Sequence, residues 1–489
     1  MRHNGILIRC LLAVVLFITV HSVSAQSLRT GYFMDGNMFR YRMNPAYMSE
    51  RGHFSIPLLG GMGVTTESNL GFGDLFYDSH LNNGEYLFFM HNSVDTKDFL
   101  GRLEQSNDFH LNADFTLLSA GFKAFGGYTT VDVTMHSRVS MNMPYDLFRF
   151  MKVANPMLDA FANGRIPEQD MGASSFDIGG VMMNTRNYID LSLGHSRSIN
   201  KNLTLGARAK VLWGLGYANA EIDKMNIEYD NIDSWSIQAH GSASVALGGE
   251  FKTQQKAVNG VDTEVVNGYR GAELGIQGIG FGVDFGAIYE FKDNLLDGLT
   301  LSASVNDLGF IRWKDAKSAD IAGGEYSFGG FNRMGIIMGT ESIDEQIDNL
   351  TEDLGDFIAM HETESENTTT GIGAKLNIGA EYAMPFYKKL SVGALYTHCF
   401  DDIYSYDQTS LVLTVSPLKV FDLALSSTFS DYGTRFGAMA NLHFTGFSLF
   451  VGTDCFMSDL SDSDYPLPNE NMNANVTFGV NISFPKFKK

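Results

Sequence analysis

NANVTFGVNISF, residues 473–484, reads as two interleaved sequences. Ala474, Val476, Phe478, Val480, Ile482 and Phe484 take one face; Asn473, Asn475, Thr477, Gly479, Asn481 and Ser483 take the other. A period of two is the signature of a strand whose faces meet different surroundings. The pattern returns in Leu203–Trp213, where Arg208 and Lys210 oppose Leu205, Ala207, Ala209 and Val211. It returns in Phe281–Phe291, where Asp284 and Glu290 oppose Val283, Phe285, Ala287 and Tyr289, and again in Leu299–Val305 and Ala374–Tyr382. Strands of soluble sheets usually run about 5–6 residues, and these runs are longer. Bilayer-crossing strands need about 9–11 residues, apolar towards lipid and polar inward. The fold class predicted is all-β, a transmembrane antiparallel β-barrel.

Spanning strands are predicted at 53–65, 110–122, 127–141, 186–197, 203–215, 280–291, 299–310, 371–384, 389–400, 408–416, 419–431, 434–444, 446–457 and 472–484. That makes about 14 strands, an even number. Every second connection is tight, as at Lys123–Gly126 and Ser198–Asn202, and most of the others are long, as at 66–109, 142–185, 216–279 and 311–370. Outer-membrane barrels pair short periplasmic turns with long outer loops in this way. Ser236–Leu247 alternates but breaks the parity, and is expected to be an outer-loop hairpin or an extension above the membrane. Trp213 and Trp313 near outer strand ends, and Phe386 and Tyr387 in an inner turn, suit aromatic girdles. Amphipathic helices are expected in two long loops, over Pro144–Asn163 and Glu341–Met360.

The first 25 residues read as a secretory signal peptide: Arg2 and Arg9, an apolar run from Cys10 to Val20, then Val23-Ser24-Ala25 before Gln26. Without them, 33 basic residues face 56 acidic ones. Such a balance excludes a basic nucleic-acid binder. Cys399 and Cys455 make no disulfide framework. No nucleotide loop, zinc-protease motif or nucleophile elbow occurs, so no enzyme, cofactor or metal site is expected. Asp459, Asp462 and Asp464 lack the glycine and terminal glutamate of a calcium loop.

Residues 26–52 precede the first strand and hold Arg40-Tyr41-Arg42-Met43-Asn44-Pro45-Ala46. An Asn-Pro-Ala just ahead of strand one resembles the long-chain fatty-acid transporter (FadL) superfamily. The chain also resembles PorV-type subunits of type IX secretion. With LTLSASVNDLGFIRW at Leu299–Trp313, it resembles more closely a Bacteroidota family of outer-membrane barrels of unknown function. The resemblance implies a 14-stranded barrel, residues 53–489, with residues 26–52 folded into the lumen as a hatch. Asn44, Pro45 and Ala46 would then shape the hatch. Arg40 and Arg42, where the transporters often have small residues, would bring charge into the lumen.

Alternation assigns Asp132, His136, Arg138, Asp190, Arg208, Lys210, Asp284, Glu290, Lys375, Glu381, Arg435 and His443 to the lumen. Both signs are present, as expected of a lumen whose charges pair with one another and with the hatch. The function expected is passage or capture of a hydrophobic or amphipathic small molecule at the outer membrane. One alternative is a docking or shuttle subunit for secreted or surface proteins. Another is an all-β binding protein with no membrane span. The partners expected are outer-membrane lipids and lipopolysaccharide, the barrel assembly machinery, and a lipophilic ligand or secreted protein. An apolar inner patch near the hatch would favour transport.

Overall fold

The computed structural model describes residues 28–78, 86–91, 93–162, 175–231, 234–258, 261–273, 275–292, 296–321, 324–328, 349, 353, 355–456 and 472–487. The signal-peptide reading, residues 459–464 and nearly all of 341–354 lie outside them.

Antiparallel neighbours close into a ring of fourteen. In chain order the wall is β1 (Arg51–Ser55 and Met62–Ser68), β2 (Ser106–Ala124), β3 (Gly127–Pro144), β4 (Val181–Ser198), β5 (Leu203–Asn231), β6 (Gly278–Glu290) and β7 (Leu299–Ile321). It continues with β8 (Met360–Gly371 and Ala374–Ala383), β9 (Leu390–Phe400), β10 (Tyr406–Leu418), β11 (Phe421–Ser430), β12 (Gly433–His443), β13 (Ser448–Thr453) and β14 (Ala474–Lys486). β14 completes the ring, pairing Phe450 with Gly479 on one side and Phe54 with Ile482 on the other. Closure leaves no unpaired edge, which is what lets strands lie in lipid. The two-residue turn between β2 and β3 has positive φ at both Phe125 and Gly126, as a tight hairpin requires.

β1 is broken at residues 56–61, yet the wall stays bonded through the break. Leu58 N donates to Thr116 O, Thr116 N to Gly61 O, and Val480 N to Leu59 O. Outward faces carry Phe281, Phe285, Leu301, Leu411, Leu413 and Val476, all exposed, while the charged partners of each strand are turned in. An apolar belt outside and charge inside is the membrane-barrel pattern.

Bulges shift the phase of alternation, among them one on β2 and one on β7. On β2 the register slips between Thr116 and Leu118. On β7 it slips at Asp307, opposite Asp284, and Asp307 takes φ +58°. An extra residue turns every later side chain to the other face. Trp313 is therefore no girdle residue. It points inward, fully buried, stacked on Tyr217 at 5.3 Å, with its indole N–H donating to Thr370. Phe386 and Tyr387 are exposed in their turn.

Above the membrane β5 and β7 run on beyond the start of β6. Ser234–Ala246 fills the space left there, pairing with β5 from Tyr217 to Asn231 and with β7 at residues 317–320. The parity-breaking stretch is thus an outer hairpin built on a strand extension. The helix expected near Pro144 is present as Tyr145–Ala162. Its Phe148 packs with Leu70, Phe89, Val94 and Phe99 over the wall. Lys152 donates to the carbonyls of Phe89 and His91, and burial lowers its pKa. Cys399 and Cys455 are both free and buried.

Replacing the buried Trp313 by alanine should lower the unfolding free energy by about 3–5 kcal/mol in reconstituted membranes. Trp213→Ala, on the outward face, should cost much less. Equal losses in the two variants would contradict the inward phase beyond Asp307.

Candidate functional site

Fourteen strands enclose more space than their own side chains can fill, whereas about 8 can be filled. Residues 28–50 occupy that space. Tyr32, Phe33, Met34, Met38, Phe39, Tyr41 and Met43 are buried against an inward apolar patch of the wall: Ile288, Leu395, Val412, Ala424, Met439 and Phe450. Close approach depends on wall glycines. A Cβ on Gly286 would lie 2.1 Å from Asn44 Oδ1, and one on Gly206 would lie 2.1 Å from Pro45 O. Only a residue without a side chain admits backbone so near.

Polar contacts fix the segment at three heights. Near the outer end the Asp454 carboxylate accepts from the backbone N–H groups of Arg29 and Thr30 and from the Thr30 hydroxyl. Midway the Met43 carbonyl accepts from Ser304, Asn306 and Asn377 at 2.7, 2.5 and 3.1 Å. The Asn44 side chain accepts from Ala46 N at 3.0 Å, closing a local turn, and its amide donates to Tyr32 Oη at 3.2 Å. Lower down Arg40 pairs with Asp35 at 2.8 Å and lies over the Tyr47 ring.

A ladder of alternating charge joins segment to wall. Arg42 meets Asp132 at 2.9 Å, and the Tyr41 hydroxyl donates to the same carboxylate at 2.7 Å. Arg208 bridges Asp132 and Asp284 at 3.3 and 3.2 Å. Lys210 continues from Asp284 to Asp307 at 2.8 and 2.5 Å. Beside it His136 lies between Asp114 and Asp190 at 2.6 and 3.1 Å, and Arg138 meets Asp114 at 2.7 Å. Asp132 and Asp284 are wholly buried. Charges so placed are tolerable only when paired and hydrogen-bonded.

The remaining lumen residues stand apart. Arg435 pairs with Glu67 at 2.5 Å and His443 with Asp422 at 2.8 Å. Glu290 meets Lys292 at the short-turn rim, and Glu381 lies within the electrostatic reach of Arg40 and Asp35. Lys375 lines a polar chamber of about 100 Å³ beside the segment, together with Arg29, Arg42, Arg138, Arg208 and Lys210. The chamber can hold water or a small polar group, and Asp114, Asp190 and Asp307 line it beside the cations they pair with.

Sequence reading missed Arg29, Glu67, Asp114, Asp307, Arg186 and Asp401. Asp114 shares its parity with Asn112 and Thr116, opposite Leu111, Ala113 and Phe115, so alternation alone could have found it. Glu67 falls in the expected loop 66–109, but the strand runs on to Ser68, three residues further. Asp307 needed the bulge.

A model described as "Family of unknown function (DUF5723)" matches residues 45–454. The chain belongs to this family. No curated protein matches it significantly. Among solved structures it is similar to a TodX monoaromatic hydrocarbon channel mutant, at 11% identity and TM-score 0.42 over 96% of each chain. It is similar to the toluene transporter TbuX of Ralstonia pickettii, at 10% identity and TM-score 0.38 over 92% of this chain and 94% of that one. A FadL homologue of Pseudomonas aeruginosa gives 10% identity and TM-score 0.37 over 96% and 100%. At such values the likeness says nothing of cargo, and the barrel of this DUF5723 member stands on its own strand pairings.

Removing the carboxylate shared by Arg42, Tyr41 and Arg208 leaves two buried cations short of a partner. Asp132→Ala should therefore lower the unfolding free energy by about 3–5 kcal/mol in urea titrations. Asp35→Ala, at a carboxylate that is 83% exposed, should cost no more than about 1 kcal/mol. Indistinguishable midpoints would mean that the ladder does not hold the segment.

Proposed function

We propose that this protein is an outer-membrane conduit for an amphipathic small molecule, closed at rest by residues 28–50 acting as a hatch. The observation that carries the reading is the two-part lumen beneath that segment. One part is the apolar patch of Ile288, Leu395, Val412, Ala424, Met439 and Phe450. The other is the ladder from Asp132 to Asp307 with its polar chamber. A solute with an apolar body and a polar end finds a surface for each when the segment moves aside. A purely hydrophilic pore has no use for the patch, and a barrel serving only as a scaffold has no use for a removable filling.

In this reading residues 1–25 are the export signal and residues 26–52 the hatch. The barrel reaches the outer membrane through its assembly machinery and sits among outer-membrane lipids and lipopolysaccharide. The apolar belt and the short-turn and long-loop asymmetry support that placement. No residue is asked to do chemistry, and the segment's charges act as a latch.

Entry of 8-anilinonaphthalene-1-sulfonate into cells tests the reading. Outer membranes holding the wild-type chain should admit this amphipathic anion faster than membranes without it. A Val412→Thr, Met439→Gln double variant, assembled to the same level, should slow entry roughly fivefold by making the patch polar. Equal entry in all three membranes contradicts a conduit.

A further inference from the structure

The loop between β9 and β10 is short, yet it reaches across the outer mouth. Asp401 receives Arg186 of β4 at 2.7 Å, both side chains buried. Arg186 also donates to Gly371 O at 2.8 Å. Tyr404 lies on His110 of β2, with ring centroids 4.0 Å apart, and is flanked by Tyr406 and Tyr432 at 4.8 and 6.3 Å. β2 and β4 stand on the far side of the ring from β9 and β10, so residues 401–405 form a strap across the lumen. Register gives its height. Arg186 pairs with Arg138, and Lys375 pairs with Cys399, two residues before the strap. Arg138 and Lys375 both line the chamber. The strap therefore lies one layer above the chamber, and Arg42 and Met43 of the N-terminal segment line it.

The closed strap rests on a contact that does not satisfy its own polar atoms. Both ring nitrogens of His110 and the hydroxyl of Tyr404 are buried without a hydrogen-bond partner among the described residues. Buried groups of this kind add little to the stability of the contact. The pin that opposes opening is the Arg186–Asp401 ion pair, reinforced by the packed rings. Arg29 of the segment donates to the hydroxyl of Tyr406, the residue at which the strap re-enters the wall, at 2.6 Å. The strap and the segment thus meet at one side chain.

We propose that residues 401–405 are an outer gate over the polar chamber, in series with the N-terminal segment, held shut by Arg186–Asp401 and by Tyr404 packed on His110. The proposal rests on the conduit reading above. With two closures in series, the polar end of a solute can enter the chamber from outside while the segment still seals the periplasmic side.

Cys399 is a native probe for the gate, buried under the strap with Tyr404 and Tyr406, its carbonyl accepting from Ser405. The charged thiol reagent 2-sulfonatoethyl methanethiosulfonate, added outside intact cells, reports its exposure by peptide mass mapping. Arg186→Gln and Tyr404→Ala should each raise the rate of Cys399 modification roughly tenfold or more. Asp35→Ala, at an exposed carboxylate of the segment, should leave that rate unchanged. Heat-shifted gel migration selects assembled protein, and Asp401→Asn removes the same ion pair from the loop side if Arg186→Gln does not assemble. An unchanged rate in assembled strap variants, or an equal rise in Asp35→Ala, overturns the outer gate. The conduit reading fails separately, if the patch variant leaves anilinonaphthalene sulfonate entry unaltered whatever Cys399 does.

Discussion

A ring of fourteen strands cannot close its own interior, and this geometric limit governs the rest of the molecule. Something must fill the lumen or the barrel is an open hole. Here the chain's own N-terminal segment does so, and the wall is shaped to receive it. Gly206, Gly286, Gly379 and Gly393 thin the inner face where Pro45, Asn44, Tyr32 and Phe33 press against it. Filling a polar lumen brings charges out of water, which demands partners for each of them. The run from Arg42 through Asp132, Arg208, Asp284 and Lys210 to Asp307 answers that demand. The bulge at Asp307 belongs to the same solution, because its backbone N–H donates to Asp284 while its carboxylate takes Lys210.

Such a ladder is a latch rather than a source of great stability. Buried ion pairs roughly balance their desolvation, while breaking one partner away is costly. The segment is therefore specified in position without being welded there. Apolar contacts with Val412, Met439 and Phe450 add the non-directional share of the binding. Beneath the segment lie an apolar surface and a charged one together. That pairing distinguishes this lumen from a water-filled pore.

The wall was legible because a period of two survives wherever lipid lies on one side and a polar lumen on the other. All fourteen strands, the tight turns and the outer hairpin at Ser236–Leu247 follow from it. Its failures have one cause. An extra residue at a bulge leaves the composition unchanged and inverts the phase, so Trp313 read as lipid-facing and is buried inside. The inward set from Asp132 to His443 could be read from alternation, but the partners could not. Arg42 finds Asp132, and Arg186 finds Asp401, through the closure of the ring, which brings together residues separated by 90 and 215 positions. Short loops that fold inward, such as 401–405, carry no periodic signal at all.

Hydrogen exchange of the assembled barrel in native outer membranes, followed at peptides covering residues 28–47, tests the occupied lumen most directly. Amides buried between wall and ladder should exchange as slowly as those of the neighbouring strands β5 to β9. Exchange of the same peptides as fast as that of the outer loops would contradict a lumen closed by its N-terminal segment.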